Sequence, residues 1–358
     1  MRPRVVFLTP SLGMGGAERW VVEMCRSLRQ CDVAGVWPIA PANHPDLVAE
    51  VRAMGVPIIV AGERISGDVI ISWGVPEPRK MVGPTHMPII AVAHSGPWPE
   101  APADFFETQA WQANHLVAVS EYAATAFPKR YQPHVNVIYN GLPKERVAVK
   151  QGGDVWRERW GVRPGQKVVL QLGRLSAEKR PEKLLSAARF LSDEWVVAFV
   201  GDGVLRDDMV KLAHKCGRRV NFTAPVQDVG DIYAAADVVC LPSDREGMPL
   251  VMIEAWLAGK PVVACRFPIT EEMLSKHGDV LMPVSLRCPA RELAEAIVLA
   301  ASREMHCVID RASEVANQHY TSETMAQNWD RFLHRACSGP LGQGAPAEEG
   351  EPERNGDT

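Results

Sequence analysis

The sequence predicts an α/β chain built from two doubly wound, parallel-sheet domains. Three observations support this reading. Short runs that are apolar throughout, such as residues 5–8 and 195–200, alternate with stretches of helical periodicity. Strands of parallel sheets read that way because helices cover both of their faces. A length of 358 residues exceeds one ordinary core and suits two. Finally, a charged, glycine-bearing stretch at residues 142–162 separates two series of strands and reads as a linker. The expected divisions are a first domain at 1–150, a second at 151–320 and a closing helix at 321–337. A disordered acidic tail rich in Gly, Pro and Glu is expected at 338–358.

Apolar residues make up 46% of the chain and charged ones 23%, the balance of a soluble globular protein. A net charge of −4 gives no support for nucleic-acid binding. The eight cysteines are scattered, without a CxxC or Cys/His cluster. Buried thiols in a reducing cytosol are therefore expected, not disulfides or zinc. The opening apolar run is too short for a signal peptide. No run approaches the roughly 20 apolar residues of a membrane span. A cytoplasmic protein is expected, with peripheral contact at the inner membrane face left open.

In the first domain, residues 5–8 read as a buried strand that leads into Ser11-Leu-Gly-Met-Gly-Gly-Ala-Glu18 and then a helix with Trp20, Val21, Met24 and Leu28 on one side. Strand, glycine loop and helix start make a cradle for an anion, because free backbone N–H groups converge there. It is not a dinucleotide fingerprint, since the third glycine would fall at Glu18. Further strands are expected at 33–40, 56–60, 68–73, 88–93, 115–120 and from 135. His94 stands at the carboxyl end of one of them, where ligands bind in open α/β sheets. His86 and His115 have no such placement. Ser120 and Asn140 read as caps or turn residues, with Asn140 also a candidate to face a ligand. Trp98, Trp111, Phe105 and Phe106 are either core or an acceptor-contacting surface.

In the second domain, a strand at 166–172 ends in Gly173-Arg174, and Lys179 follows at the start of a helix. Cations are out of place at a helix N-terminus unless an anion sits between them. Arg180 could share that task. A strand at 195–200 runs into Gly201-Asp202-Gly203, with Asp202 read as a turn residue. Val220-Asn-Phe-Thr223 follows, and then Pro225-Val-Gln-Asp-Val229. The strand at 237–242 then opens onto Ser243-Asp-Arg-Glu246-Gly247-Met248-Pro249-Leu250-Val251-Met-Ile-Glu254, with helices beyond at 270–276 and 291–301. Pro249 is expected at the first helical position, with Gly259 ending that helix. Glu254 lies among apolar neighbours, so it needs a partner. Ribose hydroxyls and a nearby arginine are equal candidates.

The E-x7-E spacing of Glu246 and Glu254, with GGAE at 15–18, the Gly-Arg/Lys pair, GDG and the VIYNG phrase at 137–141, resembles the retaining GT-B glycosyltransferases of family 4 (group 1). The matches follow the same order over residues 5–335. The resemblance implies two Rossmann-like domains facing a central cleft, with the last helix crossing back to the first domain. It implies transfer of a sugar from a nucleotide diphosphate to a glycan, lipid-linked or small-molecule hydroxyl with retention, the leaving phosphate taking the acceptor's proton. Arg174 and Lys179 would hold the diphosphate, helped by amides of Gly15, Gly16, Leu250 and Val251, with Gly201 close by. Glu246 would hold sugar hydroxyls beside the Gly247 and Met248 backbone, Glu254 the ribose, and Val226 and Gln227 the base. His94 would approach the sugar. No cofactor or metal is implied. UDP is the first nucleotide to consider, with GDP and ADP behind it. A nucleotide-sugar epimerase and a non-catalytic nucleotide-sugar-binding scaffold are the rival readings.

Overall fold

Among the described residues, twelve strands form two six-stranded sheets that are parallel throughout. The structure, a computed structural model, describes residues 2–338 other than 14, 41, 42, 99, 100 and 103. The acidic tail expected at 338–358 lies, from 339 on, outside the described residues. The chain divides into two units: Met1–Ile138 with Ala326–Thr358, and Tyr139–Met325.

The first unit holds β1 (Arg4–Thr9), β2 (Asp32–Pro38), β3 (Val69–Trp73), β4 (Ile89–Ala93), β5 (His115–Ala118) and β6 (Val135–Val137), in the order β2-β1-β3-β4-β5-β6. β4 is buried at every position, as its unbroken apolar run requires. The helix Gly16–Ser27 buries Trp20, Val21 and Met24 as its periodicity predicts, and Glu23 as well. That carboxylate is offset by Arg26 at 3.0 Å and Arg19 at 3.7 Å. The strand expected at 56–60 reduces to a single bridge between Ile58 and Val36. Pro57 has no N–H to give to a ladder, so pairing cannot propagate there. From Ala326 on, the helix Ser322–Ser338 also belongs to this unit. Its Trp329 ring lies 5.6 Å from Trp20, and Asp330 accepts the backbone N–H groups of Arg29 and Gln30.

The second unit holds β7 (Lys167–Leu172), β8 (Trp195–Val200), β9 (Val220–Thr223), β10 (Val238–Leu241), β11 (Val262–Cys265) and β12 (Met282–Val284), in the order β12-β11-β10-β7-β8-β9. This is the doubly wound order in which the winding reverses between β7 and β10. Sequence reading misses β12, whose three residues include Pro283 and show no pattern of their own. The domain boundary lies at Ile138/Tyr139, not near residue 150. The charged segment that reads as a free linker is tied down instead. Leu142 N–H donates to the Tyr320 carbonyl at 2.9 Å, and Asp231 accepts N–H groups from Lys150, Gln151 and Gly152. Gly230 lies so close to this segment that a Cβ there would sit 2.0 Å from the Ala148 carbonyl oxygen. The closing helix divides as well, its first residues up to Met325 counting with this unit.

All eight cysteines are free thiols. Burial pushes Cys25 and Cys31 up to about 12, which keeps them protonated and unreactive. No helix among the described residues is long and apolar enough to cross a membrane.

Candidate functional site

The reversal between β7 and β10 brings the loops after these strands side by side, the position at which open α/β sheets bind ligands. β7 runs into Gly173 and Arg174. Arg174 is exposed, and among the described residues it makes no hydrogen bond or ion pair. Its backbone is held by the Gly201-Asp202-Gly203 turn at the end of β8. Gly173 N–H donates to the Val200 carbonyl, and Leu175 N–H to that of Asp202, both at 2.9 Å. Gly201 has φ +145°, and a Cβ there would stand 1.9 Å from the Gly173 carbonyl oxygen. Only glycine lets these two loops meet. Gly201→Ala is expected to cost roughly 2–4 kcal/mol of stability and to displace Arg174. Urea unfolding and nucleotide binding of the variant check both parts, and unchanged values for both would separate the GDG turn from the site.

Lys179 and Glu246, expected to meet separate parts of a ligand, are partners in this structure. Lys179 Nζ lies 2.5 and 2.6 Å from the two carboxylate oxygens of Glu246, and the Ser243 hydroxyl donates to Oε1 at 2.9 Å. The reason is topological: Lys179 follows β7, Glu246 follows β10, and the two strands are neighbours. Each charge is thus compensated by the other, and Lys179 stays partly exposed. Arg180, the other candidate to share the phosphate task, is also engaged by acidic neighbours in this arrangement. It takes the left-handed φ of +47° and pairs with Asp244 at 2.8 Å and Glu182 at 2.6 Å. Burial tends to raise the Glu178 carboxyl. The Ser176 hydroxyl, its own amide and the charges of Lys179 and Arg174 outweigh that and hold it below the usual carboxylate range. A concavity of about 640 Å³ lined by Arg180, Lys183, Asp244 and Arg287 adjoins this pair but includes neither Arg174 nor Glu254.

Glu254 is 3% exposed, on the helix Leu250–Leu257. Its partner is an arginine, one of the two candidates the sequence offers. Arg146 Nε donates to Oε1 at 2.8 Å, and the Tyr233 hydroxyl donates to Oε2 at 2.7 Å. Burial, and then the neighbouring Glu254 charge, push the Tyr233 phenol well up, so it remains a donor at any physiological pH. Arg146 also donates to the Gln227 carbonyl. The Gln227 carbonyl, part of the backbone expected to meet the base, thus already accepts one hydrogen bond. Val226 beside it is half-buried. Pro249 proves to be the N-cap of this helix, with ψ 114°, and Leu250 the first helical residue. The Leu250 and Val251 amides therefore lie in the open first turn. Met248 and Gly247 are buried, and Asn140 Nδ2 donates to the Met248 carbonyl at 3.4 Å. Sequence reasoning missed Arg146, which stood in a supposed linker, and Tyr233, which stood in an apolar helix.

In the first unit, Gly15 is the extended N-cap of the helix that starts at Gly16. His94 follows β4, with its ring 4.5 Å from that of Trp20 and 5.4 Å from that of Trp73. The residue retains some exposed surface, but Nε2 is sealed and has no hydrogen-bond partner. Burial pushes the imidazole down to about 3, so it is neutral. Trp98, Phe105 and Phe106 pack on one another at 5.0–5.3 Å, whereas Trp111 is exposed.

The two doubly wound parallel sheets, with the solved structures they resemble, give the chain the GT-B fold. Residues 154–327 match the model of the family described as glycosyl transferases group 1. Among solved structures, Anabaena HepE in complex with UDP and glucose matches with a TM-score of 0.79 at 21% identity, covering 93% of this chain and 99% of that one. WaaG, a glycosyltransferase involved in lipopolysaccharide biosynthesis, matches with a TM-score of 0.69 at 16% identity, covering 92% and 99%. Among curated relatives, the sulfoquinovosyl transferase SQD2 of Arabidopsis thaliana is 32% identical over 164 residues, 44% of this chain and 31% of the relative. The D-inositol 3-phosphate glycosyltransferase of Mycobacterium sp. (strain KMS) is 38% identical over 170 residues, 43% and 37%. The chain thus spans about a third of the length of these two curated relatives.

Proposed function

We propose that the chain is a retaining glycosyltransferase that moves a sugar from a nucleotide-diphosphate sugar to an acceptor hydroxyl. The observation that carries this reading is the grouping of Arg174, Lys179 and Glu246 at the β7/β10 reversal. Glu254 lies just over one turn into the helix that follows. The named activities of the relatives and the UDP bound by HepE support a nucleotide-sugar donor, with UDP first and GDP or ADP as alternatives.

In the reaction, the bond between the anomeric carbon and the β-phosphate oxygen breaks while the acceptor oxygen bonds to the same face of that carbon. The acceptor's proton passes to the departing phosphate. Negative charge builds on that phosphate, and Arg174 and Lys179, with the amides of Leu250 and Val251, stabilise it. An approaching phosphate competes with Glu246 for Lys179, which frees Glu246 to accept sugar hydroxyls. Glu254 accepts from the ribose. Gly15, Gly16 and His94 enter this reading from the family resemblance alone. A glycan, a lipid-linked sugar or a small molecule could each serve as acceptor, with peripheral membrane contact in the lipid-linked case.

Calorimetric titration with UDP, GDP and ADP tests the donor site. One nucleotide is expected to bind, with binding lost in Arg174→Ala and weakened in Glu254→Ala. No binding of any of the three to the folded wild type would overturn the reading.

A further inference from the structure

We propose that Arg146 is a positioning residue for the nucleoside half of the donor, setting the Glu254 carboxylate and the loop at 226–227 in one rigid frame. The inference rests on the donor reading above. One guanidinium donates from Nε to Glu254 Oε1 and from Nη1 to the Gln227 carbonyl. These acceptors lie on different elements, the helix Leu250–Leu257 and the loop after β9. A guanidinium is planar and its donors are fixed relative to one another, so the two acceptors cannot shift independently while both bonds hold. A lysine ammonium at the same place could satisfy the charge but not the geometry.

The base of Arg146 is itself anchored. It stands in the 3-10 turn Lys144–Val147. That turn is followed directly by the Gly230 close contact at Ala148 and by the three N–H groups held by Asp231. On the far side of the carboxylate, the Tyr233 hydroxyl fixes Oε2. Each carboxylate oxygen can accept two hydrogen bonds. With one taken on each by Arg146 and Tyr233, at most one remains on each. Two adjacent acceptor sites held at a constant spacing suit a vicinal diol, which ribose carries as its 2′- and 3′-hydroxyls. The 226–227 loop, tied to the same guanidinium, is the segment that the family resemblance assigns to the base.

A purely structural role, in which Arg146 only compensates a buried charge, would affect stability but not the discrimination between nucleosides. Binding of UDP, 2′,3′-dideoxy-UDP and inorganic pyrophosphate to the full chain separates the two, with GDP or ADP and its dideoxy form used if the wild type prefers one of these. Wild type is expected to favour the ribonucleotide over the dideoxy form by roughly tenfold or more, the worth of hydrogen bonds to a charged group. Arg146→Met should remove most of that ratio and leave pyrophosphate binding unchanged. Arg146→Lys, which keeps a cation beside Glu254, should also lower the ratio. Arg146→Met/Glu254→Gln should discriminate no worse than Glu254→Gln, because Arg146 acts through that carboxylate. If Arg146→Met does not fold, the lysine and double variants carry the test. A wild-type ratio in any folded Arg146 variant with Glu254 intact overturns the inference. Tight, Arg174-dependent binding with no ribose preference in the wild type overturns it while sparing the phosphate site. No nucleotide binding at all overturns the donor reading, and this inference with it.

Discussion

Arg174→Ala is expected to slow nucleotide release from the donor sugar by about 10²- to 10³-fold, the usual effect of removing one preorganised donor to developing negative charge. It should leave the fold intact. Arg174 is exposed and makes no hydrogen bond or ion pair among the described residues. Its loss therefore breaks no hydrogen bond or ion pair and removes only its solvent-screened pull on Glu178, so stability should move by no more than about 0.5 kcal/mol. The loop that carries it is shaped by backbone bonds to Val200 and Asp202, which the substitution does not touch. Lys179→Ala is a less clean experiment, since it also strips Glu246 of its cation. Arg174→Lys should recover part of the rate by restoring the charge without the planar fork. Single-turnover measurement of nucleoside diphosphate release, with urea unfolding alongside, checks the prediction. A folded Arg174→Ala protein with wild-type release would show that this guanidinium does not meet the phosphates.

The second large effect is acid sensitivity originating at His94. Burial between Trp20 and Trp73 pushes the folded-state imidazole down from 6.5 to about 3. Below about pH 6.5 the unfolded chain takes up a proton on this ring that the folded chain does not. The contribution is therefore complete above pH 6.5 and is lost as the pH falls toward 3. The slope is roughly 1 kcal/mol per pH unit, or about 4 kcal/mol over the window. His94→Gln removes the titration. Its stability relative to wild type should therefore rise steadily as the solution is acidified, whatever offset it shows at pH 7.5. Urea midpoints of the two proteins between pH 7.5 and 4 give the comparison, in which carboxylate titrations common to both cancel. Parallel curves would mean that the ring takes up a proton in the folded protein as easily as in the unfolded one. A neutral imidazole also limits what His94 can do in chemistry: it can donate or accept a hydrogen bond, but it is not a cation.

Local pattern in the sequence determined most of the framework. The central strands are legible as apolar runs, because a strand covered on both faces has no room for polar residues, whereas β6 and β9 are half-buried and carry Asn. β12 escapes for lack of length. The false strand at 56–60 shows that apolar composition cannot offset a missing proline N–H. The spacing of Glu246 and Glu254, the Gly-Arg turn and the GDG turn are likewise visible, since each is confined to a few consecutive residues. Tertiary structure alone decided the partners. Lys179 meets Glu246 across 67 positions, and Arg146 meets Glu254 across 108. Which strand neighbours which is set by the winding of the sheet, and no local pattern records it. The same holds for residues 142–152, the start of the segment at 142–162 whose charges and glycines read as a linker. Its amides and Arg146 are satisfied by groups about 80 to 108 residues distant, and these bonds make it part of the second unit. A buried carboxylate announces that it needs a partner; only the folded chain chooses which one.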